Sequence, residues 1–359
     1  MTFTPHENRE VNYKTDLDKL TLLHNKNYGE NRKPDSYMWA YASLYPDESV
    51  LVVVDDKGEI VGSQGMIPIF LNVNGHVYLT GKSENSLMNK RLRGTGAFTS
   101  LYELAMSLCV SRGMTCIWGM TAATKVFSEK LGFSVYLSQL SATRILNLDR
   151  FLGSINKRKW GVLKRWIISL GSMYYYYSSR LNDPHQFNSE RYQLTQRLLT
   201  WKSFDDLYTR LRNKYPGLIH IQQDKEYFKW RVAENPTLVY ETYYLYNKEG
   251  SELKAYCYLT TDEGEVRIVD FTFADPKDGE SLLSVILSQL KGRDVMSVSL
   301  TENAKNKLGS EVLALFCRCG FFLKDRAEAY VIKNISLGED LSIENWYFNG
   351  LWNEGIKRQ

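Results

Sequence analysis

The reading of this chain turns on Asn89-Lys90-Arg91-Leu92-Arg93-Gly94-Thr95-Gly96-Ala97-Phe98. Upstream, Gly75 to Met88 alternates as a strand does, with Val77, Leu79 and Leu87 on one parity and Tyr78, Glu84 and Ser86 on the other. Downstream, Phe98, Leu101, Leu104, Ala105, Leu108 and Cys109 recur at helical spacing until Gly113. A basic, glycine-rich turn therefore joins a strand to a helix. Glycines let the backbone approach a ligand closely, and the N–H groups at a helix start act together with the helix dipole. Such a turn is an anion site suited to a pyrophosphate.

Spacing narrows the ligand. The dinucleotide fingerprint needs three glycines and the phosphate loop of NTPases a Gly-Lys-Ser/Thr ending, and neither is present. The pattern Arg91-x-x-Gly94-x-Gly96 resembles the Q/R-x-x-G-x-G/A acyl-CoA signature of the GNAT superfamily of N-acyltransferases. Two further segments fit at workable distances. Phe127 to Phe133, with Gly132 lying 36 residues past Gly96 (132 − 96), is similar to the helix end and Leu-Gly-Phe strand start that close the superfamily's core. Gly58-Glu59-Ile60-Val61-Gly62 resembles the hairpin ahead of the acyl-CoA strand. The resemblance covers residues 15 to about 148.

That resemblance implies acetyl-CoA, or another acyl-CoA, as cosubstrate and a primary amine as acceptor. It places cofactor contacts at Leu87, Met88, Asn89, Arg91, Arg93, Gly94, Thr95, Gly96, Ala97 and Phe98. An alkyl ammonium is mostly protonated at neutral pH, so attack on the thioester needs a base. Glu84, seven residues before Arg91 (91 − 84) on the polar parity, is the candidate base, with Ser86 beside it as the second catalytic candidate. A backbone N–H near Leu87 to Asn89 would steady the oxyanion. Where the family often has a tyrosine to protonate the thiolate, this chain has Ser128; Tyr102 and Tyr136 are the available substitutes.

The pattern then repeats. Tyr227-Phe228-Lys229-Trp230-Arg231-Val232 with Pro236 echoes Tyr37 to Tyr41 with Pro46, and Cys319-Gly320-Phe321 echoes Leu131-Gly132-Phe133. From Trp to Gly the distances are 93 (132 − 39) and 90 (320 − 230). The second copy lacks the signature: Asp270 to Gly279 carries three acidic residues and Pro276 where a pyrophosphate would sit. The expected fold is α+β: two tandem GNAT-like copies, each a mostly antiparallel twisted sheet flanked by helices, the second degenerate. The division is 1–148 for the acyl-CoA domain, 149–195 for a basic and aromatic connector, and 196–359 for an acceptor-shaping domain.

Within the connector, Arg150 to Asn182 holds seven Lys and Arg residues, no acidic residue, and a run of aromatics ending in Tyr174 to Tyr177. It reads first as an interdomain brace packing those aromatics on both copies, and second as an amphipathic helix on an anionic membrane surface. The tail Asn345 to Gly355 is rich in tryptophan and asparagine. By resemblance to bacterial tandem acyltransferases of surface polysaccharide biosynthesis, Trp346 and Trp352 are expected to stack on an amino-sugar acceptor, nucleotide-linked or free. The rivals are a Fem-type aminoacyl transferase, which takes aminoacyl-tRNA, and a non-catalytic acyl-CoA or glycan-precursor module.

Composition sets the outer limits. The 359 residues are 43% hydrophobic and 24% charged, as a globular chain of two domains should be. A net charge of +4 is too mild for nucleic acid. The five cysteines and five histidines show no ligand spacing, so no metal is expected. Met1 to Asn12 is polar and no apolar run reaches about 18 residues, which predicts no signal peptide and no span. A cytoplasmic location is expected, with peripheral contact at the inner membrane face under the second reading of 150–182.

Overall fold

A computed structural model describes residues 6–157, 161–184 and 187–352. The first copy comprises β1 (Glu7–Glu10), α1 (Leu17–Tyr28), α2 (Pro34–Ala42), β2 (Val50–Asp56), β3 (Glu59–Val73), β4 (His76–Met88), α3 (Ala97–Ser111), β5 (Cys116–Thr121), α4 (Thr124–Glu129), β6 (Ser134–Tyr136) and β7 (Gln139–Ile145). Two helices follow, α5 (Leu148–Lys157) and α6 (Val162–Arg180). The second copy runs through β8 (Tyr192–Thr195), α7 (Trp201–Lys214), β9 (Ile219–Ile221), α8 (Lys225–Phe228), β10 (Tyr240–Asn247), β11 (Leu253–Asp262) and β12 (Glu265–Phe273). It closes with α9 (Pro276–Lys291), β13 (Ser297–Asn303), α10 (Lys307–Arg318), β14 (Phe322–Asp325) and β15 (Ala329–Asn334). β9, added to the edge of β3, is the one strand here without a first-copy counterpart. Both copies are α+β, with mostly antiparallel sheets flanked by helices.

Local chemistry explains the hairpin that starts the first sheet. Lys57 and Gly58 both have positive φ, 57° and 87°, the geometry of the tight turn that matches strand twist. The alternating strand expected before the glycine-rich turn is β4, and the apolar period after it is α3.

The two sheets exchange their last strands. The first has the order β1-β2-β3-β4-β5-β15-β6, and the second β14-β7-β13-β12-β11-β10-β8. Thus β7 leaves the copy that precedes it in sequence and pairs with β13, while β15 returns to pair with β5. Each copy completes the other's core. The sequence echo Trp39/Trp230 marks the pseudo-two-fold axis between them. The two indoles stack at 4.9 Å, and each ring N–H donates to the other's carbonyl, at 3.1 Å from Trp39 and 2.9 Å from Trp230.

The tail corrects one expectation. Trp346 and Trp352 are buried, at 0% and 1% exposure. Trp352 packs edge-on against Trp118 of β5 at 4.5 Å, and Trp346 stacks on Phe348 at 5.0 Å. The Trp346 ring N–H donates to the Leu341 carbonyl at 3.1 Å. Rings enclosed in this way are core between the copies and offer no face to a sugar; Asn353 to Gly355 lie outside the described residues. Trp352→Ala should therefore cost roughly 3–5 kcal/mol in denaturant unfolding, the usual result of emptying a buried aromatic site. At a temperature where the variant is folded, its acceptor KM should stay within about twofold of wild type.

A buried carboxylate gives the second copy a pH signature. Asp270 on β12 is fully enclosed and accepts from Gln223 and Tyr256, each at 2.8 Å, and from Thr272 at 2.9 Å. Burial outweighs these bonds and raises its pKa from 3.8 to about 6. The folded state thus binds the proton more tightly, so this contribution to stability is present below pH 3.8 and lost as pH rises through about 6. Asp270→Asn cannot titrate. Between pH 4.5 and 7.5 it should gain about 2 kcal/mol on wild type in denaturant unfolding; an unchanged difference would contradict the burial account.

Candidate active site

β4 and β5 are parallel and pair only at Gly81 with Ile117 and Lys82 with Trp118. They still touch at Ser83 and Gly119, where an added Cβ would meet the Ser83 carbonyl at 3.2 Å. No ladder pair joins them further on, and a cleft of about 220 Å³ opens between Ser83–Leu87 and Met120–Ala122. Its cause lies in β4. The ladder steps from Gly65–Glu84 to Ser63–Leu87, so Asn85 and Ser86 together oppose the single Gln64. Such a bulge bends a strand away from its neighbour.

The bulge is held from three sides. Asn85 sits at φ 54°, and its side chain accepts from Arg32 at 2.5 Å and donates to the Tyr41 hydroxyl at 2.7 Å. Ser63 donates to the Asn85 carbonyl at 2.9 Å. The buried Gln64 amide donates to the Ser83 hydroxyl at 3.1 Å and the Glu84 carbonyl at 3.3 Å, and accepts from Ser86. These bonds fix an unusual backbone in one shape, the usual condition for a preorganised site.

Glu84 and Ser86 both line the cleft. Glu84 forms an ion pair with the buried ammonium of Lys82, which itself lies over the Trp118 ring at 5.9 Å. The Ser86 hydroxyl is committed to Gln64. Glu30 and Glu328 add two more carboxylates to the wall, and His24 lies 3.6 Å from Glu30. Three carboxylates thus line the cleft, with Glu84 paired to Lys82 and the Arg32 guanidinium standing among them. Arg32, Gln64, Glu30 and Glu328 were not singled out from sequence. Lys82 had a signal, since it shares strand parity with Glu84.

Of the proton-donor substitutes, Tyr102 is buried and reaches the cleft only through its 2.9 Å bond to Ser83. Burial pushes its hydroxyl well above the ordinary tyrosine range, so it holds its proton. Tyr136 lies on β6, outside the cleft lining, and the Ser128 hydroxyl donates to the Lys125 carbonyl at 3.3 Å.

The glycine-rich turn lies at the end of β4. Lys90–Leu92 form one tight turn, then Gly94 and Gly96 adopt φ 79° and 86° before α3 begins. A Cβ on either would meet no atom within 4 Å, and Arg93, Gly94, Thr95 and Gly96 are exposed. The first intrahelical bond is made by Ser100 to the Gly96 carbonyl and the Ala97 N–H donates to the Thr95 hydroxyl at 3.4 Å, which leaves the Phe98 and Thr99 N–H groups facing a ligand. Leu87, Met88 and Ala97 bury their side chains, and Phe98 packs on Tyr102 and Phe127. Asn89 accepts from the Arg91 N–H at 3.1 Å. The Arg91 guanidinium reaches back to Asp56 at 2.7 Å and Glu59 at 3.6 Å, so contact with a phosphate requires it to leave that hairpin.

The corresponding place in the second copy is closed. Only Ala274 and Asp275 separate β12 from α9, against eight residues, 89–96, in the first copy. Asp275 caps α9 itself, accepting from the Lys277 N–H at 2.8 Å, and Pro276 supplies no donor. A carboxylate occupies the position a phosphate would need. Among the described residues no group of three or more His, Cys, Asp or Glu gathers as a metal site.

No curated protein matches the chain. Among solved structures the chain resembles a probable N-acyltransferase from Enterococcus faecalis V583, at TM-score 0.62 and 9% identity over 95% of this chain and 74% of that one. It also resembles a GCN5-related N-acetyltransferase from Anabaena variabilis ATCC 29413, at TM-score 0.61 and 11% identity over 92% and 73%. A third likeness is to Saccharomyces cerevisiae N-myristoyltransferase with bound myristoyl-CoA, at TM-score 0.58 and 12% identity over 100% and 86%. At such identities the likeness is one of fold. A family model for the acetyltransferase (GNAT) domain matches residues 8–136, the segment that carries the bulged β4, the cleft and the glycine-rich turn.

Proposed function

We propose that this chain is an acyl-CoA-dependent N-acyltransferase that uses only its first copy for the cosubstrate. The observation that carries the reading is the continuity of an open anion turn with a bulged, carboxylate-lined cleft on one strand. The diphosphate would lie on the N–H groups of Gly94, Gly96, Phe98 and Thr99, and the thioester in the gap between β4 and β5. Glu84 takes a proton from the acceptor ammonium. The freed amine attacks the thioester carbonyl, the C–N bond forms and the C–S bond breaks; the second proton on nitrogen passes to the departing thiolate, which leaves amide and free thiol, and Glu84 returns its proton to solvent. Lys82 fixes the orientation of the Glu84 carboxylate throughout.

For the acyl group we propose acetyl, in keeping with a cleft of only about 220 Å³ between β4 and β5. For the acceptor we propose an amino sugar, free or nucleotide-linked, on the strength of the tandem resemblance and the acidic wall. The second copy reaches the cleft lining through Glu328 and would shape the acceptor's approach from there. The test is free-thiol release from acetyl-CoA and from myristoyl-CoA over a panel of amino sugars, nucleotide-linked amino sugars and amino acids. Turnover with acetyl-CoA and an amino sugar supports the reading; CoA binding without turnover of any amine would make the chain a binding module.

A further inference from the structure

We propose that α6 is a membrane-surface anchor that lies flat on an anionic bilayer. The helix is inverted relative to an ordinary surface helix. Its inward side carries Ser172 and Ser179, buried at 6% and 4%, with Ile168 and Tyr176 half-buried between and beside them. Its outward side carries Leu163, Trp166, Ile167, Leu170, Tyr174 and Tyr177, each 59–75% exposed. These six recur at steps of three and four and form one stripe. The interdomain brace expected from sequence would have buried those side chains. Tyr175, beside the stripe, stacks on Phe322 at 4.4 Å and is still 43% exposed. Arg158, Lys159 and Trp160 lie outside the described residues.

Charge selects the occupant. The sequence from Arg150 to Asn182 has seven basic residues and no acidic one. Lys157, Lys164 and Arg180 are exposed near the two ends of the stripe. A second copy docked through the same helix would bring these cations together with no carboxylate from the segment to offset them. Anionic headgroups complement them directly. Tryptophan and tyrosine rings suit the boundary between headgroup and acyl chain, having an apolar body and a polar edge. No helix among the described residues is long and apolar enough to cross a bilayer, so the contact is with one face of it. This inference does not depend on the transfer reaction.

The test is co-sedimentation of the full chain with vesicles of phosphatidylcholine alone or of phosphatidylcholine mixed equally with phosphatidylglycerol. The wild type should sediment with the anionic vesicles, bind the neutral ones less, and be weakened by about 1 M salt, where screening acts within about 3 Å. The triple variant Trp166→Ser/Leu170→Ser/Tyr174→Ser should partition at least about tenfold less, through lost apolar contact, with an unchanged melting temperature. Should that variant fold poorly, Lys157→Glu/Lys164→Glu keeps the apolar stripe and should still lose anionic-vesicle binding. A wild type that stays in the supernatant overturns the proposal, as do variants that bind like wild type. A chain that ignores vesicles but dimerises, and becomes monomeric in the triple variant, assigns the stripe to a second copy and overturns it too.

Discussion

Glu84→Gln should lower turnover of acetyl-CoA with an amine by roughly 100- to 10,000-fold and leave CoA affinity within about twofold, the pattern of a lost general base. The amide keeps the shape of the carboxylate and cannot take a proton. The bulge that opens the cleft is built from Asn85, Gln64, Ser63 and Arg32, and binds Glu84 only through its carbonyl. The variant should therefore fold and bind normally. Its pair with Lys82 adds a second signature, because removing the carboxylate leaves a buried ammonium beside Trp118. Some loss of melting temperature is expected from that, and it separates from catalysis by assaying well below the transition. Turnover within about twofold of wild type would reduce Glu84 to a partner of Lys82 and move the base elsewhere on the acidic wall.

Gly94→Asp should weaken CoA binding at least about 100-fold, since a carboxylate about 4 Å from a phosphate costs several kcal/mol at a surface. The position is open enough to admit the side chain, with no atom within 4 Å of the new Cβ. The effect therefore comes from charge, together with the strain of a side chain at φ 79°. Gly94→Ala carries the strain alone and should lose much less, about tenfold or under. The two variants compared by titration with CoA separate the terms. Equal losses would mean that the turn acts through its backbone shape and that no phosphate lies beside Gly94.

The parts of the fold that were legible in the sequence are those with local causes. Lys57-Gly58 and Gly94-x-Gly96 announce positive φ, and the periods on either side of them announce β4 and α3. The repeat was legible through Trp39 and Trp230, which hold equivalent places on either side of a pseudo-axis and so face the same constraint twice. The strand exchange was not. β7 and β15 read as ordinary sheet strands, and the identity of a strand's partner is decided by tertiary packing.

Aromatic composition misled for the same reason. A tryptophan-rich tail has one composition whether it stacks on a ligand or fills a core, and only the burial of Trp346 and Trp352 distinguishes them. In α6 the period was visible, but the inward choice of the serine side was not. The cleft shows the limit for sites. Glu84, Ser86 and Leu87 line the cleft, and the family resemblance had pointed to that strand. Arg32, Glu30 and Glu328 come from remote loops and carry no local mark.

The central claim is that one copy binds acyl-CoA and the other cannot. Calorimetric titration of the full chain with CoA tests it directly: the account predicts one site per chain, whereas two sites, or none, would contradict it.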